Sequence, residues 1–254
     1  MKWNHLTRWI FDTIHKPGTI IGTYKIIKCL GKGGYGIIYL CTDTKGEKFV
    51  LKQLRPSKKK KTKEQIRFKE EGKLLMSIDC PAIPGFIQDL DWENQYYYVM
   101  EYIKGDNIEE VLFFQDGKFT EKETLLLMCK LLDIMNYLHS HLIFHTDIRP
   151  PNVILNEEKL YLIDFGLAKK LSAQEVKEIH NRKQDDFFDF GQMILFMLYS
   201  LYTGKKSRKK SWLEELTLTP ELEYLLKGLL GITKEYENIE MIHNDLQAAI
   251  ESVK

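Results

Sequence analysis

The chain has 254 residues, 44% of them apolar, with 37 Lys and Arg against 36 Asp and Glu, for a net charge of +1. This length and apolar content suffice for one bilobal domain or two small ones, and they exclude a disordered chain. The longest apolar run, Met193 to Tyr202, is about half of the ~20 residues that a membrane-spanning helix needs.

The first eight residues lack the apolar core of a secretory signal. Cys29, Cys41, Cys80 and Cys129 form no CxxC pair, so reduced thiols and a cytoplasmic location are expected. Charge is unevenly spread. Residues 1–100 hold 18 Lys and Arg against 10 Asp and Glu, and residues 101–254 hold 19 against 26. A basic first part suits bound phosphates, although most such charge is solvated surface.

Residues 3–14 space Trp3, Leu6, Ile10 and Ile14 for a short amphipathic helix, ended by Pro17-Gly18 and expected to pack on the body of the fold, the alternative being a membrane surface. Tyr24 to Leu30 reads as a strand. Gly31-Lys32-Gly33-Gly34-Tyr35-Gly36-Ile37-Ile38 then matches G-x-G-x-x-G-x-V with Ile38 for Val. Glycines let backbone N–H groups close over phosphate, and a strand follows instead of the helix of a dinucleotide site. Lys52 lies in the apolar strand Lys48–Leu54 and requires an acidic partner. Glu71, on a helix expected over about 63–78, is favoured over Glu70 because Leu75 shares its face.

The run 55–63, with Lys58-Lys59-Lys60-Lys61, reads as a flexible solvated loop or a docking patch for an acidic partner. No aromatics interleave it, so specific nucleic-acid binding is not expected. The same reading applies to 205–210. Strand-like pieces at 86–90 and 96–102 end in Lys104-Gly105-Asp106, after which the pattern turns helical at 108–114 and 120–140. Strands before about 102 and helices after it imply two lobes with a cleft.

His145-Thr146-Asp147-Ile148-Arg149-Pro150-Pro151-Asn152 and, twelve residues on, Asp164-Phe165-Gly166 give the order H-x-D-x-x-x-x-N … D-F-G. One carboxylate at an attacking hydroxyl plus oxygen ligands for Mg²⁺ is the equipment for phosphoryl transfer from ATP.

With these motifs in order, the chain from about Tyr24 onward resembles the eukaryotic-like (Hanks-type) Ser/Thr protein kinases, especially small soluble members from spore-forming bacteria. The resemblance implies an α+β bilobal kinase fold. Residues 1–22 would form an extension, 23–101 a β-rich lobe with one main helix, and 102–254 a helical lobe. It implies that residues 31–36 cover the phosphates of ATP, that Lys52 paired to Glu71 contacts them, and that Met100 is the gatekeeper. Glu101 and Ile103 would hold adenine through their backbone, between Ile38 and Val50 on one side and Ile154 on the other. Asp147 would be the catalytic base, Asn152 and Asp164 the ligands of Mg²⁺ (or Mn²⁺), and Asp186 the anchor of the catalytic loop. Arg149 replaces the family's Lys and keeps positive charge near the γ-phosphate. His145 is packing, without a proton role.

Three departures stand out. Thr146 replaces the usual Arg before the catalytic Asp, A-P-E is absent, and the late Arg that pairs with it is missing from 233–238. The resemblance thus implies a kinase acting on Ser/Thr hydroxyls of proteins without needing activation-loop phosphorylation. From Asp164 to Asp186 the only hydroxyl residue is Ser172. A small-molecule kinase on the same fold, or an ATP-binding pseudokinase scaffold, are the alternatives, the last opposed by the intact Asp147. Ser57, Thr62, Ser207 and Ser211, in or beside basic runs, are candidate autophosphorylation sites.

Overall fold

β-branched and aromatic residues at alternate positions fold the first hundred residues as sheet, whereas the apolar stripes beyond them fold as helices. The structure is a computed structural model that describes residues 12–34, 36–115, 117–204 and 210–253. The chain divides into two compact units, Met1–Ile103 and Lys104–Lys254.

In the first unit, β1 (Ile20–Ile21), β2 (Tyr24–Lys32), β3 (Gly36–Thr42), β4 (Lys48–Leu54), β5 (Phe86–Trp92) and β6 (Gln95–Glu101) form one antiparallel sheet in the order β1-β2-β3-β4-β6-β5. One face buries Ile26, Ile37, Tyr39, Leu51, Tyr97 and Val99 as a single apolar cluster. The other receives α1 (Thr62–Met76), whose Phe68 packs on Tyr98 with ring centroids 5.1 Å apart.

The helix expected over 3–14 falls mostly outside the described residues, and 12–14 are not helical. They form an anchor instead. The Asp12 carboxylate, 2% exposed, accepts hydrogen bonds from the Ser57 N–H (2.9 Å) and hydroxyl (3.1 Å) and lies 3.4 Å from Arg55 Nε. The Asp12 carbonyl accepts from Lys32 Nζ at 3.1 Å. His15 Nε2 is 2.9 Å from the Tyr97 hydroxyl, within a network that includes Tyr39 and Gln53.

The 55–63 run is accordingly not the free loop expected from its charge. Pro56–Lys58 is a 3₁₀ turn, and Lys58 is buried against Glu64 at 3.2 Å. The buried Asp12, distant in the sequence, draws Arg55 and Ser57 inward, and Glu64, just past the run, draws in Lys58. Lys60, Lys61 and Lys63 stay exposed.

In the second unit the helices are α2 (Ile108–Phe114), α3 (Glu121–Ser140), α4 (Val176–Leu198), α5 (Trp212–Glu215), α6 (Pro220–Leu229) and α7 (Ile239–Ser252). Reciprocal capping boxes start α2 (Asn107 with Glu110) and α3 (Thr120 with Glu123). α3 buries Leu125, Met128, Leu131, Leu132, Met135 and Leu138 along one stripe. Two small sheets interrupt the helices. β7 (Asp106–Asn107), β9 (Val153–Asn156) and β10 (Lys159–Leu162) form one, and β8 (Ile143–Phe144) with β11 (Lys169–Lys170) forms the other. Gly105, at φ 140°, allows the chain to enter the first of these, because a Cβ there would overlap the Leu155 carbonyl. No described helix is long and apolar enough to cross a membrane.

Candidate active site

In the first unit, register places several candidate residues on the sheet. β4 aligns Lys52 with Ile38 of β3 and Tyr98 of β6, and aligns Val50 with Met100. Alternation along each strand therefore puts Ile38, Val50, Lys52 and Met100 on the face that also receives α1. Lys52 Nζ lies 2.5 Å from Glu71 Oε1, both side chains 5% exposed, and the Tyr98 hydroxyl donates to the same oxygen at 2.8 Å. Glu70 is exposed and takes no part. Tyr98 was not anticipated from the sequence, although alternation in the Tyr96-Tyr97-Tyr98 run puts Tyr96 and Tyr98 on this face and Tyr97 on the other.

The glycine-rich turn runs from β2 into β3. Gly31 and Lys32 still pair across to Ile38 and Ile37, and the Gly33 N–H donates to the Gly36 carbonyl at 3.0 Å. Gly36 has its own reason to be glycine. A Cβ there would stand 3.1 Å from both Lys52 Cε and the Gln53 carbonyl, pressing on the lysine the site needs. Gly33 and Gly34 are exposed, and Tyr35 lies outside the described residues. Glu101 is tied at both ends to Gly85: its N–H donates to the Gly85 carbonyl at 2.9 Å and its carboxylate accepts the Gly85 N–H at 3.0 Å. Ile103 is half-buried at the end of this unit.

In the second unit, the candidate residues are built on the β8–β10 region. The buried Asp186 carboxylate of α4 accepts from the N–H groups of His145 (3.1 Å) and Thr146 (2.6 Å) and contacts His139 Nε2 of α3 at 2.8 Å. Asp189, one turn along α4, accepts the Ile148 N–H at 3.1 Å. Two aspartates on one helix face thus hold the backbone on either side of Asp147. His139 and Asp189 were missed in the sequence. His139 could have been noticed as a polar residue continuing the apolar stripe of α3.

Thr146 and Asp164 sit at φ 56° and 64°, a region that costs non-glycine residues about 1–3 kcal/mol and is kept where surroundings enforce it. For Thr146 these surroundings are the Asp186 carboxylate and its own hydroxyl, which donates to the Leu167 carbonyl at 2.9 Å. The segment after Gly166 is fixed further by β11 pairing with β8 and by the Leu171 N–H on the Leu142 carbonyl. α4 begins at Val176, so the stretch expected as an activation loop as far as Asp186 is helix for its second half. Ser172 donates both its N–H and its hydroxyl to Glu175 at the start of that helix.

Both hydrogens of the Asn152 amide are used, at 2.9 Å each, on the carbonyl and carboxylate of Asp147. Its side-chain oxygen is left as an acceptor. The Ile163 N–H donates to the Asn152 carbonyl at 2.9 Å, while β9 and β10 pair Val153 with Leu162, and so Asn152 and Asp164 are brought together. An amide oxygen beside a carboxylate is the hard donor set that Mg²⁺ or Mn²⁺ takes together with phosphate and water, so these residues fit the ion. Arg149 is exposed with Nε 3.3 Å from Asp147 Oδ1. Ile154 is half-buried next to the β7 pairing. His145 is fully buried, its Nε2 facing the Ile163 carbonyl at 3.1 Å and its ring edge-on to Phe165. Burial lowers its pKa, keeping it a neutral packing group.

The chain is similar to known proteins. The protein kinase domain family matches residues 24–185. The chain is 55% identical over 250 residues to "Probable serine/threonine-protein kinase YbdM" of Bacillus subtilis, covering 98% of each. It is 34% identical over 157 residues to "Serine/threonine-protein kinase B" of Synechocystis, 58% of this chain but 27% of that relative. Among solved structures, the kinase domain of PknI from Mycobacterium tuberculosis superposes with a TM-score of 0.70 over 93% of this chain and 100% of that one, at 16% identity, a likeness of fold alone.

Proposed function

Since this chain belongs to the protein kinase family, we propose that it transfers the γ-phosphoryl group of Mg-ATP to a serine or threonine hydroxyl of a protein. The observation that carries the reading is the paired anchoring of the catalytic loop. Asp186 and Asp189 hold the backbone around Asp147, and Asn152 binds the Asp147 carboxylate while keeping its own oxygen for a cation. In phosphoryl transfer such positioning and charge supply most of the catalysis.

Asp147 orients the acceptor hydroxyl and takes its proton. The oxygen–phosphorus bond to the acceptor forms as the bond from the γ-phosphorus to its bridging oxygen breaks, and ADP leaves with that electron pair. Lys52, held by Glu71, binds the nucleotide's phosphates, with the backbone of residues 31–36 closing over them. Met100 borders the adenine, the Glu101 and Ile103 backbone hydrogen-bonds it, and Ile38, Val50 and Ile154 sandwich it. Arg149 moves from Asp147 toward the γ-phosphate when it is present. Asn152 and Asp164 would hold a divalent ion, which would neutralise phosphate charge.

Activity needs no phosphate on the activation segment. Thr146 offers no cation to receive one, and its hydroxyl already holds that segment through Leu167. The exposed Lys60, Lys61 and Lys63 are a reduced cationic patch for an acidic partner; 205–209 lie outside the described residues. Of the candidate modification sites, Thr62 is exposed, whereas Ser57 is held by Asp12 and Ser211 caps α5.

The test is transfer of labelled γ-phosphate to a generic basic protein, with Asp147→Ala beside the wild type. Loss of the base should slow labelling by about 10²–10⁴-fold while nucleotide binding persists. Equal labelling by the two proteins would refute the assignment.

A further inference from the structure

Beside the catalytic loop, the face of α4 is open. A groove of about 520 Å³ is bounded by Ile148, Arg149 and Pro150 on one side and by Tyr199 and Trp212 on another, with Asp189 in its lining. No residue of 167–175 lines it, since that segment runs along β8 and turns straight into α4. Across Phe196 and Tyr199 it continues into a second hollow of about 320 Å³, where Phe113 of α2 is 65% exposed and stacks edge-on against Phe196.

The electrostatics of the first hollow select its occupant. Asp189 uses Oδ2 for the Ile148 N–H, and its other oxygen has no described partner. The neighbouring charges that act on it are the carboxylates of Asp186, Asp147 and Asp185. Arg149, the cation in the lining, is turned to Asp147. A half-buried carboxylate in a negative field is complementary to a cationic side chain, which would gain a charge-assisted hydrogen bond, while Tyr199 and Trp212, farther along the groove, offer apolar surface to neighbouring residues.

We propose that this groove binds the protein acceptor itself, with Asp189 as a specificity-determining residue that seats a lysine or arginine neighbouring the phosphorylated hydroxyl. Because Asp189 holds Ile148, directly after the catalytic Asp147, a side chain seated there belongs to a residue adjacent or nearly adjacent to the acceptor. An apolar residue farther along the same extended segment occupies the Phe113–Phe196 hollow. This inference rests on the protein-kinase reading above and adds the chemistry of its substrate.

The experiment compares two synthetic serine peptides that differ only in Lys or norleucine beside the acceptor, assayed with wild type, Asp189→Asn and Phe113→Ala. Asn retains an acceptor for the Ile148 N–H, and thermal melting checks that each variant is folded. Wild type should favour the Lys peptide by about tenfold in kcat/KM, the scale of one charge-assisted hydrogen bond. Asp189→Asn should abolish that preference, and Phe113→Ala should raise the KM of both peptides severalfold.

Labelled peptide without preference in the wild type, or an undiminished preference in Asp189→Asn, would overturn the assignment of Asp189 while leaving the kinase reading intact. Should Asp189→Asn fail to fold, an unchanged peptide KM in Phe113→Ala would overturn the groove by itself. No label on any protein or peptide, with equal behaviour of Asp147→Ala, would sink both readings.

Discussion

At the scale of single residues, the decisive contacts join groups far apart in the chain. Glu71 is shared by Lys52 and by Tyr98, 27 positions away, all three buried. Removing one partner of a buried pair strands the other. Glu71→Ala should therefore destabilise the protein by about 3–5 kcal/mol, and Tyr98→Phe by about 1 kcal/mol, the net value of one hydrogen bond. Urea unfolding of the two variants checks both, and equal losses would mean that the ion pair adds nothing beyond the tyrosine. Asp189 carries a pH dependence. Burial pushes its carboxyl from 3.8 up to about 6, against the Ile148 N–H that favours the ionised form. A raised acid stabilises the fold fully below pH 3.8, and that stabilisation is lost as pH rises through about 6. Asp189→Asn, neutral throughout, should hence gain stability relative to wild type as pH rises from about 4 to about 6. A difference that stays flat over that range would show that the carboxylate is solvated.

At the scale of elements, the activation segment behaves as a brace. β11 pairs with β8, Thr146 holds Leu167, and α4 starts within a few residues. Phosphatase treatment or Ser172→Ala should leave the rate within about twofold, whereas Thr146→Val, which removes the brace's side-chain bond, should lower it about tenfold. Kinetics of dephosphorylated enzyme decide the point; a large loss on dephosphorylation would refute independence from phosphate. The sequence carried the motifs because their chemistry allows few substitutes: Gly36 beneath Lys52, Asp147, Asn152, and an acid on α4. Element order was legible from periodicity, and so was the choice of Glu71 over Glu70, since one turn of helix decides it. What stayed hidden were pairings whose partners are unremarkable locally. Asp12 with Ser57 spans 45 positions and His139 with Asp186 spans 47. Net charge alone likewise made 55–63 look solvated, because the acid that holds it lies near the start of the chain.

For the whole molecule, ligand linkage tests the proposed nucleotide binding. At about a hundred times its Kd, a non-hydrolysable ATP analogue with Mg²⁺ should add about 2.7 kcal/mol to the unfolding free energy. Omitting the metal should remove much of that gain if Asn152 and Asp164 are its ligands. Equal stabilisation with and without Mg²⁺ would take the metal role from them.

The attachment of Asp12 has a corollary. Its carbonyl takes the lysine of the glycine-rich turn, while its carboxylate takes the approach to the helix that bears Glu71. Asp12 thus braces the sheet and helix that carry the proposed nucleotide site. Asp12→Ala would loosen Lys32, Arg55 and Ser57 together, so a change at one residue outside every motif would be felt at both the glycine-rich turn and the start of the helix.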